Sequence, residues 1–163
     1  MAEADVAIER PNRQKASSKA TRAVVVALLL ASTLLMIVIS VGAWDALVGA
    51  KALQVLYILA YVGIAVMVLR WSRGVLPVAA ALAIVLFTFA LVSVPGWFAR
   101  DKDGFTDPAI PSDVVGLLTA LLVPLQLLLI AFAMRGFQQA WNVEVEHTAE
   151  PPAARRRGTA PAT

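Results

Sequence analysis

Four long apolar runs without a charged residue constrain this chain more than any other feature. They cover 23–44, 52–69, 74–98 and 114–134, and none contains Asp, Glu, Lys, Arg or His. A helix needs about 17–25 apolar residues to cross the hydrocarbon core of a bilayer. With 60% hydrophobic and 15% charged residues, the composition also belongs to the membrane class, because soluble domains average about 25% charged residues.

These runs are predicted to be helices. Backbone groups in lipid have no water partner, and the runs lack the alternation of a membrane β-barrel. We therefore expect an all-α fold, an antiparallel bundle of four transmembrane helices within residues 23–135. Residues 1–22 and 151–163 are polar or rich in Pro, Ala and Arg, so both are predicted to be disordered cytoplasmic tails.

The distribution of Lys and Arg predicts the orientation. Eleven of these residues precede the first run, separate the second from the third or follow the fourth, and three lie at the opposite ends. By the positive-inside rule both termini are cytoplasmic, in a multi-pass protein of the cell membrane. The run at 23–44 is longer than the core of a cleaved signal peptide, about 7–15 residues, which favours a retained anchor; cleavage would place the amino terminus outside.

All four tryptophans fall at or just past a predicted membrane boundary. An indole there keeps its ring in apolar surroundings and its N–H near water. The sequence therefore predicts four interfacial anchors. They are Trp44, Trp71, Trp97 and Trp141.

Residue types that are missing restrict the chemistry. The chain has no cysteine, and its single histidine, His147, follows the last run; this excludes disulfides, thiolate metal sites and bis-histidine haem in the membrane. Apart from two tyrosines the runs hold no ionisable group, whereas proton-coupled transporters use intramembrane acids and bases. We expect no enzymatic activity, no cofactor and no metal site. The net charge of +3 is spread over the flanks of the runs, so no nucleic-acid partner is expected.

A few polar residues inside the runs form a candidate intramembrane cluster of Tyr57, Tyr61, Gln126 and Pro124. Tyr57 and Tyr61 share one helical face. Tyr61 lies about 15 Å and Gln126 about 20 Å below the outer boundary at 1.5 Å per residue, so a hydroxyl-to-amide contact between the second and fourth helices is geometrically possible. Pro124 predicts a kink. The cluster is interpreted as a polar contact between helices, with a site for a lipid headgroup or small ligand as the alternative.

The outer loop contains Asp101, Asp103 and Asp107 around Gly104. Carboxylates at alternate positions with a glycine match part of a calcium-binding loop, but a further ligand and the closing Glu are missing. A solvated Asp/Gly turn is therefore favoured over a cation site.

Residues 136–150 follow the last run and are predicted to be an interfacial aromatic segment. Phe137 and Trp141 are four residues apart, so an extended helix would place both on one face at the headgroup level. The alternative is a docking segment whose alternating Val and Glu pair as an edge strand. The stretch Gly-Phe-Gln-Gln-Ala-Trp-Asn-Val-Glu-Val-Glu, the short loops and the Ala/Val/Leu/Arg bias resemble small four-helix integral membrane proteins of high-GC Gram-positive bacteria. This resemblance implies a bacterial envelope and no particular activity.

These observations favour a non-catalytic accessory subunit or self-associating scaffold of a membrane complex. Its expected partners are the lipid bilayer and either another membrane protein or further copies of the chain. The alternative is passive or facilitated transport of a neutral solute or lipid, in which case the protein is a transporter or channel component.

Overall fold

The computed structural model describes residues 6–100 and 108–148 of the chain, and its long helices coincide with the apolar runs. Each of the four is long and apolar enough to cross a membrane, as predicted for the helices of a multi-pass membrane protein. In chain order the helices are α1 (Pro11–Gln14), α2 (Ala16–Gly42), α3 (Lys51–Leu69), α4 (Leu76–Phe98) and α5 (Ser112–Gln138).

The amino-terminal tail differs from its prediction. Residues 6–22 form a strand, helix α1 and the first turns of α2, rather than a disordered segment. At 27 residues and 1.5 Å per residue, α2 is about 40 Å long, whereas the hydrocarbon core measures about 30 Å. The helix therefore continues beyond the apolar run, and contacts with the carboxyl-terminal segment, described below, hold this extension in place.

Two short strands join the two ends of the described chain. Strand β1 (Val6–Glu9) pairs antiparallel with β2 (Val145–Thr148), with Val6 opposite Thr148 and Glu9 opposite Val145. The carboxyl-terminal segment that was considered as an edge strand for a partner thus pairs with the chain's own amino terminus.

Packing is uneven around the bundle. Helix α5 has its most extensive interface with α4, and α2 packs against both α5 and α3. Helices α3 and α4 make little direct contact, although a short turn around a 3₁₀ helix at Arg73–Val75 connects them. Around the bundle the helices therefore follow one another in the order α3, α2, α5, α4. This order leaves a gap between α3 and α4.

The outer surface of the bundle is apolar. Leu34, Leu59 and Leu117 are each more than 60% exposed, and Val92 is 74% exposed. Monomeric soluble proteins rarely expose contiguous apolar patches of more than a few hundred Å². Exposing these side chains to water costs free energy, and surrounding lipid removes that cost. The surface therefore fits a protein whose solvent is the bilayer.

Two backbone reversals end the helices on the side where the termini lie. Trp71 follows α3 with φ 63°, and Ala140 follows α5 with φ 49°. Positive φ is uncommon outside glycine and persists where the surrounding packing holds it. Since α5 ends at Gln138, the prediction that Phe137 and Trp141 share one face of a longer helix is wrong; the chain turns back at Ala140 and carries Trp141 toward the protein.

Candidate functional site

Hydrogen bonds link three helices in the interior of the bundle. The hydroxyl of Tyr61 on α3 donates to Oε1 of Gln126 on α5 at 2.7 Å. Nε2 of Gln126 donates in turn to Oγ of Ser32 on α2 at 3.0 Å. All three side chains are fully buried, and together they are called the polar bridge.

The polar bridge satisfies both ends of a buried amide. An amide side chain offers a carbonyl acceptor and two N–H donors, and an unpaired buried polar group costs about 1–3 kcal/mol. In Gln126 the acceptor is paired with Tyr61 and one donor with Ser32. Such a contact between membrane helices contributes about 0.6–2 kcal/mol to stability. The polar bridge therefore stabilises the packing of the three helices and requires no ligand to do so.

The structure brings Tyr57, but not Pro124, next to the polar bridge. The Tyr57 ring meets the Tyr61 ring edge-on, with centroids 5.9 Å apart. Its hydroxyl donates across the gap to the carbonyl of Leu82 on α4 at 3.4 Å. Pro124 lies on the exposed surface of α5, which continues as one helix across it.

Ser32 was absent from the predicted cluster, although its depth already placed it there. Counted from the outer ends of their runs, Ser32 and Gln126 each lie twelve residues into the membrane, so the two residues are at the same depth. Equal depth on two helices that contact each other makes a hydrogen bond geometrically available. The sequence did not show which helices are neighbours.

The gap between α3 and α4 contains a cleft of about 300 Å³. It begins at the loop between α2 and α3, where Leu47 and Gly49 line it, and extends along the helices to Tyr57 and Leu86. Tyr57 lies six positions after Lys51, the first residue of α3, which places it about 9 Å along that helix. Sites for small molecules have volumes of about 300–1,000 Å³ and mostly apolar walls. The volume and the apolar walls of the cleft therefore make it a candidate binding site.

Four polar side chains interrupt the apolar lining, namely Gln54, Tyr57, Ser93 and Thr119. Each donates a hydrogen bond to a backbone carbonyl: Gln54 to Met36, Tyr57 to Leu82, Ser93 to Ala90 and Thr119 to Val115. None of the lining residues is charged. Only Tyr57 belongs to the predicted cluster, because the other three are single polar residues whose positions beside one cleft depend on the packing of α3, α4 and α5.

Trp141, which follows α5, differs from its prediction as a lipid anchor. Trp141 is completely buried and meets the Trp71 ring edge-on, with centroids 5.4 Å apart. Its indole Nε1 donates to Oε1 of Gln139 at 3.1 Å, and Nε2 of Gln139 donates to Thr21 at 3.0 Å. Gly136 leaves room for it, since a Cβ there would lie 3.2 Å from the Trp141 ring. Trp141 is thus a core residue of the protein.

Arginine side chains fasten the amino-terminal segment to this aromatic pair. The guanidinium of Arg22 lies 4.1 Å and that of Arg13 lies 5.9 Å from the centroid of Trp71. Nε of Arg13 donates to the carbonyl of Trp141 at 3.1 Å, and Nε of Arg10 donates to Glu144 at 2.9 Å. Burial, and then the neighbouring Arg10, lowers the pKa of Arg13, while Glu144 raises it. We call these contacts the terminal clasp.

The tryptophans at the opposite end are placed differently from each other. Trp44 is 41% exposed, and Nζ of Lys51 lies 5.0 Å from its centroid, an arrangement that suits a membrane boundary. Trp97 is 9% exposed and lines the cleft, with the guanidinium of Arg100 4.6 Å from its ring. Trp97 therefore faces the candidate binding site.

Comparison of the chain with protein-family models, with curated proteins and with solved structures finds no match to any of them. The site is accordingly interpreted from its own geometry. The Asp101, Asp103 and Asp107 loop lies outside the described residues, so its interpretation as a turn stays a sequence prediction.

Proposed function

We propose that this chain is a non-catalytic protein of the cell membrane that holds an uncharged lipid or other neutral apolar ligand in the cleft between α3 and α4. The cleft carries this proposal. Helices α3 and α4 make little direct contact beside it, so an elongated apolar molecule can enter from the surrounding bilayer.

The chemistry of the cleft supports an uncharged ligand. Leu86, Phe89 and Leu122 supply apolar walls, and its lining residues carry no charge. Moving an ion into such surroundings costs several kcal/mol unless a partner of opposite charge is present. A neutral chain that enters from the bilayer passes from one apolar environment to another and pays no such penalty.

The proposal includes an antiparallel bundle with both termini in the cytoplasm. Eleven of the fourteen Lys and Arg residues belong to the segments on the side of the termini, which supports this orientation. The cleft begins at the loop between α2 and α3, so it opens toward the outer half of the membrane in that orientation.

A non-catalytic role is supported by how the intramembrane polar groups are used. Gln126, Tyr61 and Ser32 bond to one another, and the polar groups of the cleft donate to backbone carbonyls. Catalysis by an acid–base pair or an activated nucleophile needs a hydrogen-bonded base beside the reacting group. Amides, and hydroxyls whose hydrogens are already bonded to other groups of the protein, do not supply that base.

Lipid retention in mild detergent, measured by native mass spectrometry, tests the proposal. Leu53 lines the cleft and is 41% exposed, so Leu53→Trp adds bulk to the cleft without requiring a new cavity in the core. Leu34 on α2 is 62% exposed and lies outside the lining, which makes Leu34→Trp the matched control. We expect bound lipid on the wild type and the control, and its loss from Leu53→Trp. Equal retention by all three proteins, or none by any, would contradict the proposal.

A second candidate function is that of an accessory subunit or self-associating scaffold. It is favoured by α3, of whose apolar window only 28% is buried inside the protein, against 44% for α2. Leu56 and Leu59 on α3 are each more than 60% exposed, so a partner helix has an accessible face. Purification from native membranes in mild detergent tests this candidate: a stoichiometric protein partner or a defined oligomer supports it, and a lone monomer contradicts it.

A further inference from the structure

The polar side chains of the cleft donate hydrogen bonds to backbone carbonyls of the protein, and this affects which neutral ligands the cleft can bind. Nε2 of Gln54 donates to the carbonyl of Met36 at 3.2 Å, and the hydroxyl of Thr119 donates to Val115 at 2.8 Å. Ser93 and Tyr57 likewise donate to the carbonyls of Ala90 and Leu82. Each hydroxyl has a single hydrogen, whereas an amide has two N–H donors. The three hydroxyl donors lining the cleft are therefore committed to the protein, and Gln54 keeps one N–H.

The same side chains retain acceptor oxygens. Oε1 of Gln54 and the lone pairs of the three hydroxyl oxygens receive no hydrogen bond from the described residues. Lipid hydrocarbon has no donor to offer them, and a polar acceptor in apolar surroundings is costly when it has no partner. A ligand that brings an O–H donor to this part of the cleft therefore gains more than a hydrocarbon of the same size.

The remaining N–H of Gln54 complements the oxygen of such a ligand. Nε2 of Gln54 uses one hydrogen on the carbonyl of Met36, and an amide nitrogen carries two. An alcohol is both a donor and an acceptor, so it suits this N–H together with the acceptor oxygens of Tyr57 and Thr119. An ester or ether accepts a hydrogen bond from Gln54 but has no hydrogen for those acceptor oxygens.

Charge argues against an anionic headgroup. The nearest described cations have partners within the protein: Nζ of Lys51 lies over the ring of Trp44, and the guanidinium of Arg100 lies over Trp97 at the edge of the cleft and donates to the carbonyl of Ala46 at 3.4 Å. The acceptor oxygens within the cleft repel a carboxylate or a phosphate. These contacts favour a protonated hydroxyl over a fatty acid or a phospholipid.

We infer that the ligand of the cleft is a neutral lipid alcohol, with its hydroxyl beside Gln54, Tyr57 and Thr119 and its hydrocarbon chain against Leu86, Phe89 and Leu122. This inference rests on the proposed function, since it names the class of lipid that the same cleft takes. The polar atoms of the cleft select the headgroup of the ligand. The apolar walls accept its hydrocarbon chain and do not specify the structure of that chain.

Photo-crosslinking in nanodiscs tests the inference with four probes that share one diazirine-bearing chain and end in a primary alcohol, a methyl ether, a carboxylate or a methyl group. We expect the alcohol to compete for labelling about three- to tenfold more strongly than the ether and the hydrocarbon, as a single gained hydrogen bond implies. Gln54→Leu is expected to remove this advantage and to leave labelling by the hydrocarbon probe unchanged. Gln138→Leu, on the exposed end of α5, is the control that keeps it.

The outcomes separate the inference from the proposed function. Equal labelling by the alcohol, the ether and the hydrocarbon would overturn the inference while retaining a lipid cleft. Stronger labelling by the carboxylate would overturn it in favour of an acidic ligand. No saturable labelling by any probe would overturn the proposed function as well. Thr119→Val removes a second acceptor at nearly constant shape and gives the same test if Gln54→Leu does not fold.

Discussion

The hydroxyl of Tyr61 and the side-chain carbonyl of Gln126 are 2.7 Å apart in the interior of the bundle, and this contact fixes α3 against α5. The two residues are separated by 65 positions in the sequence. Helix α3 otherwise packs mainly against α2. The bond, continued by Gln126 to Ser32, therefore supplies a directional contact to the helix that has the least apolar support.

A double-mutant cycle measures this contact. Gln126→Leu leaves the Tyr61 and Ser32 hydroxyls without their amide partner, and Tyr61→Phe leaves Oε1 of Gln126 without its donor, so each is expected to lower the free energy of unfolding by about 1–3 kcal/mol. Because the pair interacts directly, the double variant should lose less than the sum of the two, with a coupling of about 0.6–2 kcal/mol. Reversible unfolding in mixed detergent provides the measurement.

Thr88→Val is the control for this cycle. Thr88 is exposed and donates to Ile84 of its own helix at 3.0 Å, so its removal should change stability by no more than about 0.5 kcal/mol. Strictly additive effects of the Gln126 and Tyr61 substitutions would show that the 2.7 Å contact does not contribute to stability.

The second prediction compares the stability effects of replacing two tryptophans that differ in burial. Trp141→Ala removes a completely buried side chain, and such substitutions cost about 3–5 kcal/mol. Trp44→Ala removes a partly exposed side chain that has a cationic neighbour, for which about 1 kcal/mol or less is expected. Thermal unfolding of the two variants in the same detergent compares them. A Trp141→Ala protein as stable as Trp44→Ala would mean that Trp141 faces lipid rather than the protein.

The sequence predicts the spans well because lipid forces each apolar run to satisfy its own backbone hydrogen bonds. It predicts poorly which side of each helix is buried. Leu29 is completely buried and the adjacent Leu30 is 50% exposed, yet both are apolar, since the lipid-facing and core-facing sides of a membrane helix have the same chemistry.

For the same reason the cleft was not predicted. Gln54, Ser93 and Thr119 lie on three different helices, and only the order of the helices around the bundle brings them together. Depth in the membrane, which the sequence does provide, was sufficient to relate Tyr61 to Gln126. The burial of Trp141 depends on the reversal at Ala140, which the composition of the segment does not indicate.

Two glycines give a third prediction, on the connection between α4 and α5. A Cβ at Gly42 would lie 2.6 Å from Cγ1 of Ile110, whose backbone N–H donates to the Gly42 carbonyl at 3.1 Å. Gly42→Ala is therefore expected to displace Ile110 and to destabilise the protein by about 1–3 kcal/mol. Gly63, within α3, has no atom within 4 Å of an added Cβ, so Gly63→Ala should leave stability unchanged or raise it by up to about 1 kcal/mol. The unfolding midpoints of the two variants, compared with that of the wild type, test this prediction. A Gly42→Ala protein as stable as the wild type would contradict the close contact with Ile110.

The orientation of the bundle provides the last prediction, and the absence of cysteine from the chain makes it simple to test. Val48, in the loop between α2 and α3, is 84% exposed, and Ser17, near the start of α2, is also exposed. With both termini cytoplasmic, a membrane-impermeant maleimide added to intact cells should label Val48→Cys and not Ser17→Cys. After the membrane is permeabilised both should react, which shows that Ser17→Cys is accessible and was protected by the bilayer. Labelling of Ser17→Cys alone in intact cells would show that the bundle has the opposite orientation. The cleft would then open toward the cytoplasmic leaflet.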